Sequence, residues 1–167
     1  MITLYKDYLV DLLKKLQLDK IYDDFDDLKR GRFPTPAAFI YVSDTEDIED
    51  DGTIVGYIDD EPNKIRRYKK RKYKITNYIA ILFVARNQSD AEKLKVDFFK
   101  LLDKSIKDSE GNPVLITPND SKLHLDEGVL NNKFGRELLI EFEGGIYTER
   151  LFKLIDKFVP EGAEIQR

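Results

Sequence analysis

The spacing of apolar residues predicts two amphipathic helices. Apolar side chains recur every three or four positions between Leu4 and Leu16, which indicates a helix over about residues 3–18. A second helix is expected at Ser89-Asp90-Ala91-Glu92, because this order has capping-box spacing and precedes an apolar stripe. Gly111 and Asn112 are expected to end that helix. The stripe consists of Leu94, Phe98, Leu101, Leu102 and Ile106.

Three segments have the alternation and the composition of β-strands, namely residues 37–42 (AAFIYV), 73–85 (YKITNYIAILFVA) and 137–143 (ELLIEFE). The second becomes apolar on both faces towards its end, as a central strand does. Residues 113–117 (PVLIT) predict another strand, followed by a turn that Pro118 opens.

The last third of the chain leaves two interpretations open. Residues 123–145 are predicted to contain one or two strands, of which 137–143 is one, with Asn131-Asn132 as a tight turn. After Gly145 the segment GIYTERLF fits a continuing strand, whereas apolar spacing fits a helix. That spacing involves Leu151, Leu154, Ile155 and Phe158.

The order of elements predicts an α+β fold. It consists of a mostly antiparallel mixed sheet flanked by two main helices. A length of 167 residues fits a single domain over residues 1–167. The C-terminal tail, about residues 160–167, is expected to fray.

Charge is segregated into two consecutive blocks. Residues 43–62 contain nine acids and no lysine or arginine, whereas residues 64–74 contain eight bases and no acid. A chain reversal at residues 59–64 (DDEPNK) pairs the two blocks as an antiparallel hairpin arm over about residues 43–72. The expected register places Asp51 by Lys72, Asp50 by Tyr73, Glu61 by Lys64, and Phe39 opposite Val84.

The predicted arm is long for a small domain, so we expect it to project. A two-stranded ribbon is only marginally stable in water, which predicts that a partner covers it. We therefore assign the arm as a contact with another subunit. The residues assigned to this contact are Asp50, Asp51, Tyr57, Arg66, Arg67, Tyr68, Lys69, Lys70, Arg71 and Lys72.

The basic block also permits a nucleic-acid interpretation. Arg66, Arg67, Lys70 and Lys72 would bind phosphates while Tyr68 and Tyr73 stack on bases. A formal net charge of −4 argues against it, because nucleic-acid-binding domains are usually basic.

Catalytic and metal chemistry find little support in the sequence. The chain has no cysteine and a single histidine, His124, and neither a nucleotide-binding glycine motif nor a nucleophile elbow occurs. Residues 47–52 (DIEDDG) resemble the start of a calcium loop, but Ile58 stands where a bidentate glutamate is needed. We therefore predict no enzyme, no cofactor and no metal, and no run of apolar residues predicts a membrane span.

Three segments, together with the order of elements, resemble tail-terminator or tail-completion proteins of long-tailed bacteriophages. The resemblance covers most of the chain. The segments are FPTPAAFIYV, YKITNYIAILFVARNQSDAEKL and LLIEFEGGIYTE. The resemblance implies a ring, commonly a hexamer, that caps the tail tube and joins it to the head connector. The implied partners are the tail-tube protein and the head–tail connector protein, with DNA passing through the lumen. The implied location is the virion neck, assembled in the bacterial cytoplasm.

Three hypotheses follow for the function. The first is a ring-forming phage structural protein, with related head–tail connectors as a close variant. The second is a nucleic-acid-binding module that uses residues 64–74. The third is a metal-dependent enzyme that uses carboxylates.

Overall fold

A computed structural model of the chain describes residues 1–23, 28, 33–119 and 133–153. The helices are α1 (Ile2–Lys15) and α2 (Gln88–Leu101). The strands are β1 (Ile21–Tyr22), β2 (Ala37–Asp50), β3 (Ile54–Asp60), β4 (Ile65–Ala85), β5 (Ser105–Lys107), β6 (Pro113–Asn119) and β7 (Phe134–Lys153).

The strands form one mixed sheet with the order β1-β2-β4-β7-β6-β5, and β3 pairs with β4 outside this path. β1 runs parallel to β2, while β3 and β4, β5 and β6, and β6 and β7 are antiparallel pairs. In the part of the chain that the structure describes, the two long helices and the mostly antiparallel mixed sheet confirm the predicted α+β class.

The core covers both faces of the central strand. On one face Ile79, Ile81 and Phe83 of β4 pack in a cluster with side chains of α1 and α2, such as Leu9 and Phe98. On the other face Leu82 and Val84 join a smaller cluster that includes Phe33 and Phe39. The two-sided burial predicted for β4 is therefore confirmed, and Phe39 and Val84, expected to face each other, lie in one cluster.

Several predicted boundaries were wrong. The oxygen that caps α2 belongs to Asn87 and accepts a hydrogen bond from the Asp90 amide at 2.8 Å, so Ser89 lies inside the helix. The helix ends at Leu101, and Ile106 lies in β5. Pro118 continues β6 opposite Ile140, where a proline is tolerated if its missing amide faces away from the ladder.

Gly111 lies in the turn between β5 and β6 with a φ of +80°, a left-handed conformation that glycine adopts without strain. Its role is therefore the turn of this hairpin rather than the end of α2.

The described chain divides into two compact units. Unit 1 comprises the described residues within 1–48 and 75–144, and unit 2 comprises those within 49–74 and 145–167. β2, β4 and β7 each contribute residues to both units.

Some sequence-based expectations lie outside the described residues. They are the position of His124, the Asn131-Asn132 turn and the frayed tail. The helix alternative involving Leu154, Ile155 and Phe158 also lies outside them, whereas β7 continues as a strand to Lys153.

Candidate functional site

The predicted hairpin is present, and the predicted contacts at Asp51 and at the turn are confirmed, although the register shifts between them, at Ile54 to Gly56. The Asp51 amide donates a hydrogen bond of 2.9 Å to the Lys72 carbonyl, which places Asp50 level with Tyr73. At the turn the Lys64 amide donates to the Glu61 carbonyl at 3.2 Å. The two charged blocks therefore run antiparallel along β4, as the segregation of charge predicted.

The acidic strand is interrupted once, at Asp51-Gly52-Thr53 between β2 and β3. Oδ1 of Asp51 accepts hydrogen bonds from the Gly52 amide at 2.6 Å, the Thr53 amide at 2.8 Å and the Thr53 hydroxyl at 2.6 Å. Its other oxygen accepts a hydrogen bond from Nε of Arg71. The donors from Thr53, then Arg71 and Gly52, lower the pKa of Asp51 well below its ordinary value.

Further ion pairs join the two strands on either side of this interruption. Arg66 donates to both oxygens of Asp59, from Nε at 2.6 Å and from Nη2 at 2.8 Å, and this lowers the pKa of Asp59. Lys74 pairs with Glu49 at 2.6 Å. Opposite charges on the two strands thus fix the register of the hairpin, although exposed pairs contribute little energy each.

Unit 2 contains a third strand that sequence analysis did not predict for the arm. The ring of Phe152, in β7, stacks on that of Tyr68 at 5.0 Å between centroids. The Lys69 ammonium lies 5.3 Å from the centroid of the Tyr147 ring. The prediction of an isolated two-stranded ribbon was therefore wrong, because the segment after Gly145 continues as a strand beside β4.

β3 combines one-sided pairing with exposed apolar side chains. Within the described ranges it pairs only with β4, so its other edge carries no strand there. Four large apolar residues of β3 are exposed, up to 68% for Ile58. An exposed apolar edge strand is a template for association with another chain. The four residues are Ile54, Val55, Tyr57 and Ile58.

The predicted contact residues are divided between the two faces of the hairpin. Register places Tyr57 opposite Tyr68 and Asp59 opposite Arg66 on one face, and Ile58 opposite Arg67 on the other. By alternation Lys70 and Lys72 share the Tyr68 face, while Lys69 and Arg71 share the Arg67 face. The four candidate phosphate-binding residues are therefore not all on one face, since Arg67 points away from Arg66, Lys70 and Lys72.

Sequence analysis missed the apolar part of this surface. The run IVGYI, residues 54–58, was treated as part of an acidic ribbon, although its composition already distinguished it from the flanking acids. Phe152 was missed because its strand was left open between two interpretations. In the structure 53% of Phe152 remains exposed beside Tyr68.

Within the described part of the chain, no group of three or more histidine, cysteine or acidic side chains is arranged to hold a metal ion. None of the described helices is long and apolar enough to cross a membrane.

Comparison with known proteins finds no matching family model and no matching curated sequence.

Proposed function

We propose that this protein is a structural assembly protein whose copies associate through the β3–β4 hairpin. The observation that carries the proposal is β3, a strand paired on one side in the described chain and bearing four exposed large apolar residues. Soluble proteins usually cover such an edge, so an exposed one marks an interaction site.

The composition of the hairpin surface supports a protein partner. Aromatic side chains and arginine are enriched at protein interfaces, and unit 2 exposes Tyr57, Phe152 and Arg66. The Arg66 guanidinium lies 5.5 Å from the centroid of the Tyr57 ring, which orders both side chains before a partner binds. Exposed aliphatic residues, Ile54 and Ile146 among them, add apolar area of the kind a protein partner covers.

The specific form of the proposal is a phage tail terminator, as the sequence resemblance implies. Six copies would form a ring that caps the tail tube in the virion neck. The ring would bind the tail-tube protein on one side and the head–tail connector protein on the other, while DNA passes through its lumen. The activity is binding rather than catalysis, and the hairpin supplies contacts between subunits.

The proposal is tested by the mass of the purified protein in solution. Light scattering should give a multiple of the 19.5 kDa chain, six for the ring, and negative-stain images should show rings. A monomer at all concentrations, with no rings, contradicts the proposal.

A shortened hairpin tests which element holds the copies together. The Arg71 amide donates to the Thr53 carbonyl at 2.9 Å, so replacing 54–70 by Asn-Gly joins two residues that already pair. This variant should be monomeric and folded by circular dichroism. A matched pair of point variants tests whether assembly depends on the hairpin or on any exposed apolar side chain. Tyr57→Ser should weaken assembly, whereas Phe99→Ser on α2 should not, although both residues are at least half exposed.

A second candidate function is the binding of single-stranded nucleic acid. It is favoured by Lys70 and Lys72, which share a face with the stacked Tyr68 and Phe152 rings. Fluorescence anisotropy with a single-stranded oligonucleotide should then show affinity that falls steeply with salt, and Lys70→Ala should reduce that slope. Binding that does not respond to salt argues against this function.

A further inference from the structure

A second strand edge without a neighbouring strand belongs to β5. Among the described strands β5 pairs only with β6, as β3 pairs only with β4. β5 runs from Ser105 to Lys107, and both of these residues are exposed. Ile106, between them, packs partly buried against the core. Each copy of the chain therefore carries two different edges to which a further strand can be added.

The backbone hydrogen bonds of β5 show which of its residues point to the unpaired edge. The Ile116 amide donates to the Lys104 carbonyl at 3.0 Å, so the backbone groups of Lys104 are directed to β6. Successive residues of a strand direct their backbone groups to opposite sides, and Ile106 is therefore also directed to β6. The amides and carbonyls of Ser105 and Lys107 face the unpaired edge.

The same alternation applies to β3. At the turn the Glu61 carbonyl accepts a hydrogen bond from the Lys64 amide at 3.2 Å, which directs the backbone groups of Glu61 towards β4. Those of Asp60 and Ile58 are then directed away from β4, to the unpaired edge of β3. The outward-facing residues of β3 thus have the same spacing along the strand as those of β5.

The two edges carry opposite charges. Lys104 precedes β5 and Lys107 ends it, whereas β3 ends at Asp60 and is followed by Glu61. None of Lys104, Lys107 and Glu61 forms an ion pair with another described residue. The Asp60 carboxylate accepts hydrogen bonds from Asn63 and has no cationic partner in the described chain. The acids of one edge and the lysines of the other are therefore available to a partner.

We propose that β3 of one copy pairs with β5 of the next copy as an antiparallel strand. This inference rests on the proposed function and names the two surfaces that meet. The contact is heterologous, because it joins two different edges, and each copy offers β3 to one neighbour and β5 to another. Repeated from copy to copy, a contact of this kind can close a ring with two different faces.

Charge selects one register for this pairing. In an antiparallel pair the outward-facing residues of the two strands lie directly opposite each other. The register that we infer gives each acid of the tip a lysine, directly opposite for Glu61 and diagonal for Asp60. The aliphatic part of Lys107 covers Ile58, which is 68% exposed in the single chain. The opposite residues are Glu61 and Lys104, Asp60 and Ser105, and Ile58 and Lys107.

Slipped registers are less favourable. A slip of two residues in one direction places Asp60 opposite Asp103, and a slip of two in the other direction places Asp59 opposite Asp108. Like charges directly opposite each other destabilise a sheet. A slip of one residue sets outward-facing residues against residues whose backbone groups are already directed to their own sheet, so the ladder cannot form.

Other occupants fit the β3 edge less well. A nucleic-acid strand would be repelled by Asp60 and Glu61. β1, which lies at the other end of the strand order, spans only Ile21–Tyr22 and is too short to place a lysine at both acids. The β5 edge of a second copy supplies both a backbone ladder and the complementary charges.

Two variants, each blocked at one edge, test the pairing. Ser105→Pro removes an amide at the unpaired edge and keeps the bonds to β6, because proline is tolerated where its missing amide faces away from the ladder. The shortened hairpin, with 54–70 replaced by Asn-Gly, lacks β3. Each variant alone should be monomeric by sedimentation over a range of concentrations. An equimolar mixture should form a complex with one copy of each, since one supplies β3 and the other β5.

Matched variants control for the substitutions themselves. Ser105→Ala keeps the amide and should assemble like wild type. Lys104→Glu with Lys107→Glu blocks the same edge by charge instead of by proline, and this double variant should also form the one-to-one complex only with a partner that is able to supply β5, not with the shortened hairpin if its β3 is absent and β5 lysines are needed. Circular dichroism establishes that each variant is folded.

Charge reversal tests the register. Glu61→Lys and Lys104→Glu should each weaken self-association by at least about tenfold, because like charges then face each other in every contact. Combining the two changes in one chain restores opposite charges and should recover the wild-type mass. Glu61→Lys combined with Lys15→Glu is the control, since Lys15 is an exposed lysine on α1, and it should not recover.

Introduced cysteines report the register directly, because the chain has none of its own. Glu61→Cys with Lys104→Cys should form disulfides between copies, since the Cα atoms of such a pair lie about 4.5 Å apart, within the range of a disulfide. Oxidation should give a ladder of multimers on a non-reducing gel. Glu61→Cys alone should not cross-link, and neither should Glu61→Cys with Lys107→Cys, whose side chains lie on opposite faces.

The outcomes separate this contact from the proposed function. If wild-type protein assembles and both Ser105→Pro and Lys104→Glu assemble equally well, the β5 contact is wrong, while the hairpin still joins copies through another surface. Folded edge-blocked variants that form no complex on mixing also overturn the contact, as does cross-linking of Glu61→Cys alone, which would indicate a reciprocal contact. A monomeric wild-type protein overturns both the contact and the proposed function.

Discussion

Arg71 donates a hydrogen bond from its Nε to the Asp51 carboxylate where β2 ends and β3 begins. Both side chains are largely shielded, with 18% of Arg71 and 13% of Asp51 exposed. The same carboxylate accepts the amides of Gly52 and Thr53. One side chain thus closes the interruption in the acidic strand and fixes it to the basic strand.

We predict that the stability of the fold depends on the ionisation of Asp51. Its folded-state pKa lies below the ordinary 3.8, so the charged form stabilises the fold above that pH, and this stabilisation is lost as the pH falls through the folded-state pKa. Asp51→Asn should therefore lower the melting temperature at pH 7, and its difference from wild type should shrink as the pH falls below about 4.

Thermal melts between pH 2 and pH 7, followed by circular dichroism, measure that difference. Asp50→Asn is the matched control, since it removes a neighbouring negative charge that forms no ion pair among the described residues, and it should change the melting temperature less. A difference in melting temperature between Asp51→Asn and wild type that stays constant over the whole pH range would contradict a stabilising role for the Asp51 charge.

Gly145 is predicted to be intolerant of any side chain. A Cβ at this position would lie 2.5 Å from the Tyr73 carbonyl oxygen and 2.6 Å from Cδ of Arg71. The backbone contact cannot be relieved by a rotamer change, so Gly145→Ala should cost roughly 1–3 kcal/mol, the usual range for overpacking. Urea unfolding measures this loss.

Gly56→Ala provides the control, because a Cβ there meets nothing within 4 Å. It should leave the free energy of unfolding within about 0.5 kcal/mol of wild type, as most surface substitutions do. Equal losses of unfolding free energy in Gly56→Ala and Gly145→Ala would show that the close approach of Gly145 to β4 does not cause the destabilisation.

Much of the fold could be predicted because local patterns and tertiary structure agree. The apolar faces of residues 79–84 indicated a strand buried on both sides, and the structure buries them on both sides. The segregated charges indicated the hairpin and its register, because slipped pairings would place like charges opposite each other. The hydrogen bond from the Asp51 amide to the Lys72 carbonyl agrees with that expected pairing.

The unpredicted part depends on contacts between segments distant in sequence. Whether residues 146–153 form a strand or a helix is decided by β4, whose Tyr68 offers a stacking partner to Phe152. The local sequence cannot decide between strand and helix here, because the apolar residues of this segment fit both periodicities. The candidate site was incomplete for the same reason, since Phe152 joins the hairpin only through that pairing.

The cap of α2 gives a third prediction. The sequence pattern predicted the cap at Ser89, whereas the structure places Asn87 there, whose side chain accepts from the Asp90 amide and donates to the Asp90 carboxylate, both at 2.8 Å. Asn87→Ala should destabilise the protein by about 1 kcal/mol in urea unfolding. Ser89→Ala should have little effect, because Ser89 is an exposed residue inside the helix. A larger loss of stability in Ser89→Ala than in Asn87→Ala would instead assign the cap to Ser89, as the capping-box pattern predicted.

The stacking of Tyr68 on Phe152 gives the last prediction. The rings lie 5.0 Å apart with planes inclined by 15°, and such pairs contribute about 0.5–1.5 kcal/mol beyond the area they bury. A double-mutant cycle with Tyr68→Ala and Phe152→Ala should therefore give a coupling energy in this range, measured by urea unfolding at a concentration where assembly is constant. Tyr57→Ala with Phe152→Ala is the control cycle and should couple less, because Tyr57 lies one strand further from β7. A coupling near zero for the first cycle would mean that β7 does not pair beside Tyr68. The hairpin would then be the two-stranded ribbon that its charges alone indicate, and its stability would depend on a partner.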